Sequence, residues 1–213
     1  MTKVKICGVT NEKDALNAAK LGADFIGFLV EIDFSEDSIK REEAKNIIKK
    51  LPLEVTPVFV TYEQKAEPII EIAKEICPQI IQLHNIIELE EIDKIRKELP
   101  KIKITKSIPV ADETALKEAK KYEKYVDYIL VDTKGKFGRG GTGKIHNWKI
   151  SAKIVKEIKK PVFLAGGLNP DNVKEAIKTV KPFAVDTNNG VKAKPRIKDY
   201  EKMKLFIERA KEK

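Results

Sequence analysis

The chain has 213 residues, 42% of them hydrophobic and 35% charged, with 42 Lys and Arg against 33 Asp and Glu and a formal net charge of +9. This length supplies the core of one domain, read here as residues 1–213, and no run approaches the ~20 apolar residues of a bilayer span. The lysines alternate with glutamates instead of gathering into a basic tract interleaved with aromatics, which argues against nucleic acid. It fits a solvated, ion-pair-rich surface of the kind common in proteins from hot environments, and an attraction for small anions.

The first stretch, Val4-Lys5-Ile6-Cys7-Gly8-Val9-Thr10-Asn11, is a short apolar run that ends in Cys7 and Gly8, followed by a capped amphipathic helix over Glu12 to Leu21. The pattern then repeats. Asp24 to Val30 is a buried strand before the helix Arg41 to Leu51, and Glu54 to Val60 precedes Pro68 to Ile76. Gln79 to Leu83 leads to Glu88 to Leu99, Lys101 to Lys106 to Glu113 to Tyr122, and Val126 to Val131 to a glycine-rich loop and the helix Lys149 to Ile158. Pro161 to Ala165 with Asn169 to Val180, and Phe183 to Thr187 with Tyr200 to Ala210, complete eight strand–helix units.

Near-continuous apolar strands between amphipathic helices predict a parallel sheet covered on its outer face, and eight units predict an α/β fold of the (β/α)8 TIM barrel type. The alternative is an open doubly wound sheet, but Cys7-Gly8-Val9-Thr10-Asn11 lacks the glycine fingerprint such a sheet carries after its first strand. In a barrel, function gathers at the loops that follow the strands. The strand-end residues are then Cys7, Glu31, Thr61, His84, Lys106, Asp132, Gly166 and Asn188.

Cys7 at a cavity mouth can exchange a proton as thiol and thiolate, although a cysteine at a strand end can equally be a small buried apolar residue. Cys7 and Cys77 show no spacing for a metal or a disulfide, and no metal is expected. The N-terminus carries Lys3 and Lys5 where a signal peptide would carry an apolar segment, so the expectation is a cytoplasmic protein. Asp132 closes a strongly apolar strand, where partial desolvation raises a carboxyl pKa toward general-acid duty; a loop-capping role is the alternative. The loop Lys134 to Lys144, with five glycines, Phe137, Lys136 and Arg139, suits a lid over an anionic substrate. Gly166-Gly167 in the seventh unit and Asn188-Asn189-Gly190 in the eighth offer backbone N–H groups to an anion, the recurrent phosphate grip of barrels.

Lys5-Ile6-Cys7-Gly8-Val9-Thr10, Gly22-Ala23-Asp24-Phe25-Ile26-Gly27-Phe28, Gln82-Leu83-His84, Leu130-Val131-Asp132-Thr133 with Gly140-Gly141-Thr142-Gly143-Lys144, Ala165 to Val173, and Ala184-Val185-Asp186 with Asn189-Gly190-Val191 and Lys198-Asp199 together resemble the phosphoribosylanthranilate isomerase family. The matches run in order over nearly the whole chain. The resemblance implies an Amadori rearrangement of N-(5-phosphoribosyl)anthranilate in tryptophan biosynthesis, with no cofactor. It makes Cys7 the general base and Asp132 the general acid. It also puts the phosphate on the amides of Gly166, Gly167, Asn189 and Gly190, with Asp186 ordering that loop and Gln82 and His84 lining the cavity. His84 as a packed strand-end residue is an open alternative, and His146 receives no role. The expected partner is a small phosphorylated sugar, with the protein a monomer or homodimer.

One departure stands out. The family carries an arginine for the anthranilate carboxylate in the loop after the second strand, and here Asp33-Phe34-Ser35-Glu36-Asp37-Ser38-Ile39-Lys40-Arg41 puts an acidic residue at that place. Repulsion would replace bidentate attraction. Lys40, Arg41, Arg139 or Lys106 would have to supply the cation from another direction, or the substrate lacks the carboxylate. The second case leaves two further readings, a related proton shift on another phosphorylated amino sugar and a non-catalytic phosphate-ligand binder. The Ser-Ser-Gly of the family's phosphate loop is Asn188-Asn189-Gly190 here, and its Gly-Glu after Gln-Leu-His is Asn85-Ile86.

Overall fold

The computed structural model describes residues 1–133 and 145–212. The elements run β1 (Lys3–Ile6), α1 (Glu12–Lys20), β2 (Phe25–Val30), β3 (Ser38–Ile39), α2 (Arg41–Ile48), β4 (Thr56–Thr61), α3 (Ala66–Ile76), β5 (Ile80–Leu83) and α4 (Leu89–Glu98). They continue with β6 (Lys103–Val110), α5 (Thr114–Tyr122), β7 (Tyr128–Thr133), α6 (Trp148–Glu157), β8 (Val162–Leu164) and α7 (Val173–Val180). The last are β9 (Ala184–Thr187), a 3-10 turn (Asn189–Val191), the two-stranded hairpin β10 (Lys192–Lys194) and β11 (Ile197–Lys198), and α8 (Tyr200–Lys211).

The sheet runs in the order β1-β9-β8-β7-β6-β5-β4-β2, and the additional β1–β2 pairing closes it into a parallel eight-stranded barrel. β3 is a short extra strand on the outer part of β2, where Leu29 pairs with Ser38. The predicted units all form. The Asn11 cap of α1 accepts from the Asp14 N–H at 2.9 Å, and Asp199 caps α8 through the Lys202 N–H at 3.0 Å.

Strand six differs from its predicted end at Lys106. Ser107 to Val110 continue the pairing with Leu130 to Thr133 of β7, through Pro109 and the polar Ser107. β3 and the β10–β11 hairpin were not predicted, because two- and three-residue strands carry no periodic signal.

Alternation along each strand divides the apolar residues into two bodies. Outward residues such as Ile6, Ile26, Phe28, Phe59, Ile81, Ile129 and Val185 pack under the helices as one continuous layer. Inward residues Phe25, Val58, Ile80, Leu130, Phe163 and Ala184 fill the barrel. At its lower end Phe25, Tyr128, Phe163 and Phe183 interlock, with Phe163 edge-on to Phe25 at 5.0 Å and to Phe183 at 5.6 Å. This aromatic plug closes the barrel floor.

Truncating the centre of the plug leaves a void that surrounding strands cannot collapse into. Phe163→Ala should lower the unfolding free energy by about 3–5 kcal/mol in urea titration, as expected for a fully buried aromatic.

Candidate active site

A cavity of about 560 Å³ opens at the C-terminal ends of the strands. That is within the ~300–1,000 Å³ range of small-molecule sites. Its wall includes Cys7, Gln82, His84, Asp132, Gly166, Gly167, Asp186, Asn189 and Gly190, so the structure brings nine of the sequence-predicted site residues to one place. Arg139 and the rest of the proposed lid, Lys134 to Lys144, lie outside the described residues.

Three strand-end residues do not reach the cavity, and the reason is the pleat. Glu31 turns outward with a φ of 53° and pairs with Arg41 at 2.8 Å, while Thr61 and Lys106 occupy outward positions between Tyr62, Thr105 and Ser107. Lys106 packs over the Tyr122 ring at 5.1 Å. Burial pushes its pKa down to about 8. Arg41, a predicted substrate contact, is held by Glu31, Glu71 at 2.6 Å and Glu75 at 3.5 Å and does not line the cavity; nor does Lys40. Opposite charge on α3 holds this guanidinium on the outer helix layer.

Inside the barrel Lys5 was missed by sequence reasoning, although it stands two residues before Cys7 and therefore on the same inward face. Its ammonium, 1% exposed, donates to Asp186 Oδ2 at 3.0 Å and to Gln82 Oε1 at 2.8 Å. Burial disfavours the charge, but Asp186 and Cys7 outweigh it and hold Lys5 above the ordinary lysine range. Room for Lys5 and Cys7 comes from Gly27, where a Cβ would sit 2.8 Å from Cys7 Sγ and 3.1 Å from Lys5 Cε.

The expectation that Asp186 orders the phosphate loop is corrected here: it pairs in register with Lys5 and turns its carboxylate onto that ammonium. Its Oδ1 is buried with no hydrogen-bond partner among the described residues. A ligand hydroxyl can fill that position.

The Lys5 bond fixes the next two groups. Because Gln82 Oε1 accepts from Lys5, Gln82 Nε2 donates to His84 Nδ1 at 3.0 Å, with Ser107 Oγ also 3.0 Å from that nitrogen. Burial, with Lys106 and Lys5 nearby, pushes the His84 pKa down to about 3. The ring is neutral, and its one proton falls on Nε2, which faces Asp132 Oδ2 at 3.6 Å.

Asp132 itself is pushed up to about 7, chiefly by burial and then by the Asp186 charge, against the opposing Thr133 N–H bond at 2.7 Å and Lys5. Cys7 is also raised, by burial first, with Lys5 and Lys198 favouring its thiolate and Asp186 opposing it. The cavity therefore holds an acid near neutrality and a thiol whose thiolate Lys5 and Lys198 favour.

The two glycine loops meet each other tightly. Thr187 Oγ1 donates to Leu168 O at 2.7 Å, and a Cβ on Gly190 would lie 2.0 Å from that carbonyl, so only glycine lets the loops after β8 and β9 close together. Asn172 Nδ2 donates to Gly167 O at 2.9 Å, tying the first loop to the start of α7. The wall toward β2 consists of Phe34, Ser35, Glu36 and Asp37, with Tyr62 and, from β10, Lys192, another residue the sequence reading passed over. His146 bridges Thr133 Oγ1 at 3.1 Å and Ser151 Oγ at 2.6 Å, outside the cavity wall.

A cavity at the C-terminal end of the strands that sets a titratable pair, Cys7 and Asp132, opposite two glycine loops after the last two barrel strands is the layout of a phosphate-binding (β/α)8 barrel of the isomerase class. The sequence profile of the N-(5'phosphoribosyl)anthranilate (PRA) isomerase family matches residues 4–209, and the chain belongs to that family. The N-(5'-phosphoribosyl)anthranilate isomerase of Haloferax volcanii is 37% identical over 212 residues, covering 99% of this chain and 94% of that one. A crystal structure of phosphoribosyl anthranilate isomerase from Thermotoga maritima superposes with a TM-score of 0.89 at 37% identity, covering 99% of both chains. A crystal structure of phosphoribosyl anthranilate isomerase in complex with reduced 1-(o-carboxyphenylamino)-1-deoxyribulose 5-phosphate gives a TM-score of 0.86 at 34% identity and 99% coverage of both chains.

The raised Asp132 pKa has a stability consequence of definite sign. The folded state holds this proton up to about pH 7 while the unfolded chain releases it near 3.8, so the contribution is complete below the lower value and lost as pH rises through the higher. Urea unfolding of wild type and Asp132→Asn at pH 4.5 and 8.5 should show wild type gaining on the variant by about 3 kcal/mol at the lower pH. A gain at the higher pH would overturn the burial account.

Proposed function

We propose that this protein is a phosphoribosylanthranilate isomerase that converts N-(5-phosphoribosyl)anthranilate to 1-(2-carboxyphenylamino)-1-deoxyribulose 5-phosphate, in the service of tryptophan biosynthesis. The observation that carries the reading is the convergence of Cys7, Asp132 and both glycine loops on one cavity. The aldose-to-ketose shift balances without any redox partner: a proton leaves C2 and a proton arrives at C1.

Asp132, poised near neutrality, protonates the ribose ring oxygen, and the ring opens to the Schiff base of the aryl amine. The Cys7 thiolate then removes the C2 proton to give the enolamine, which tautomerises to the ketone. Lys5 favours that thiolate, and phosphate bound at the loops after β8 and β9 holds C2 in reach. His84, neutral with its proton on Nε2, orients the Asp132 carboxyl and adds no charge of its own.

A phosphorylated sugar is the small-molecule partner in this scheme. Among the described residues no helix is long and apolar enough to cross a membrane. We place the protein in the cytoplasm, with its substrate.

The working form, thiolate beside carboxylic acid, is a minor tautomer of the single-proton pair, because Asp132 titrates below Cys7. Its population rises up to about pH 7, stays flat, and falls only beyond the raised Cys7 value. The expected profile of kcat/KM, followed through anthranilate fluorescence, therefore loses about tenfold per pH unit below neutrality. Cys7→Ala and Asp132→Asn should each lower kcat by about 10²–10⁴-fold with little change in KM. Unchanged kcat in either variant would remove that residue from the mechanism.

A further inference from the structure

We propose that Lys192, the first residue of β10, receives the carboxylate on the substrate's aryl ring and sets specificity for it; this deepens the isomerase reading and rests on it. With phosphate at the β8 and β9 loops and the sugar carbons between Cys7 and Asp132, the aryl group falls against the β2 side of the cavity. Phe34 and Tyr62 stand there edge to face, with ring centroids 4.9 Å apart. A benzoate carboxylate carried into that wall needs a cation or a set of donors, because burying it unpaired is costly.

The loop after β2 cannot provide one, since its polar side chains on the wall are Ser35, Glu36 and Asp37. Lys192 is the sole lysine or arginine on the cavity wall among the described residues. Its ammonium, 12% exposed, reaches Asp37 Oδ2 at 2.6 Å and Glu36 Oε1 at 2.7 Å. Two of its three N–H donors are thus committed to protein. The third has no partner among the described residues.

The Asp37 carboxylate is 3% exposed, and while Oδ2 also accepts from Asn188 Nδ2 at 2.9 Å, Oδ1 is buried without a partner among the described residues. One wall thus presents an acceptor and a donor side by side. An ortho-aminobenzoate edge presents the complement, an amine N–H next to a carboxylate.

The frame behind this pair is firm and cationic. Arg196 Nη1 donates to the Glu36 and Ser38 carbonyls at 3.1 and 2.7 Å, and Lys198 Nζ holds Asn188 through its carbonyl at 3.1 Å and its Oδ1 at 2.6 Å. Lys192 alone pairs with the Glu36 and Asp37 carboxylates, and Arg196 and Lys198 bring further positive charge behind them. Glu36, whose side chain is 56% exposed, can turn into solvent and release Lys192 further, whereas Asp37 is fixed. Burial opposes the Lys192 charge, but Asp37 and Glu36 hold it above the ordinary lysine range, so the ammonium persists at neutral pH.

The test is steady-state kinetics on phosphoribosylanthranilate and on N-(5-phosphoribosyl)aniline, which lacks only the carboxylate, with inorganic phosphate as competitive inhibitor. Lys192→Met should lose about 30- to 300-fold in kcat/KM on the first substrate, the range for removing one member of a buried charge contact, and under about threefold on the second. Its inhibition by phosphate should not change, and Lys192→Arg should recover most of the loss. Glu36→Gln, a mild surface change, should raise kcat/KM about twofold or more on the carboxylated substrate alone, as expected for lifting one screened charge. Equal losses on both substrates, no loss on either, or weakened phosphate inhibition would overturn the assignment while leaving the isomerase intact. Failure of the wild type to turn over phosphoribosylanthranilate would instead remove the isomerase reading, and this inference with it.

Discussion

The site depends on one buried ion pair. Lys5 and Asp186 meet inside the barrel at 3.0 Å, and each neighbouring group takes its state from them. The ammonium draws Gln82 Oε1, which sends the Gln82 amide protons to His84 Nδ1 and leaves the His84 proton facing Asp132. The same ammonium favours the Cys7 thiolate, while the Asp186 charge helps raise Asp132. A lysine removed from this position would leave Asp186 charged and uncompensated, and the proton affinities of the acid and the base would both rise. The two ends of one pair thus act in opposite senses on both the acid and the base. Asp132 is thereby held protonated near neutrality, while Lys5 offsets part of the burial and the Asp186 charge that oppose the Cys7 thiolate three strands away.

Placing such groups inside a barrel costs stability, since buried charges and orphaned oxygens lose hydration that the pair only partly returns. The rest of the fold offsets this cost by segregation. The apolar layer beneath the helices is continuous around the barrel, and the plug of Phe25, Tyr128, Phe163 and Phe183 seals the floor. The polar residues of the cavity, Gln82, His84, Asp132 and Asp186, stand toward the C-terminal ends of their strands, where strands are held by pairing on both sides and loops can vary. Rigid strands then set the separations on which proton transfer depends.

The barrel was legible in the sequence because near-continuous apolar runs and amphipathic helices recur eight times, and Cys7, His84, Asp132 and the glycine loops were legible because each sits at an element boundary with a distinct chemistry. What escaped was parity and partnership. Thr61 and Lys106 lie near strand ends but on the outward face, and the extension of β6 through Pro109 hid which of its residues faces in. Lys5 looked like an interruption in an apolar strand; counting two back from Cys7 places it inside. Arg41 looked available from its position in the β2 loop, yet Glu71 and Glu75 come from α3, a pairing that no local pattern announces.

The corner between the β2 loop and the β10–β11 hairpin shows why a single missing residue is weak evidence about a substrate. What a carboxylate ligand feels is the summed field and the donors within reach, not the chain segment that supplies them. β2 and β9 both flank β1, so the loop after one and the hairpin after the other rise side by side above the same cavity. A cation can therefore move from one to the other if the facing residue changes sign with it, which is the arrangement of Asp37 against Lys192. Lysine in place of a guanidinium gives up the planar two-pronged grip. Asp37 restores direction by fixing where the ammonium sits and by adding its own acceptor beside it. The acidic loop after β2 is then one half of a clamp whose other half arrives 155 residues later, when Asp37 and Lys192 are counted along the chain.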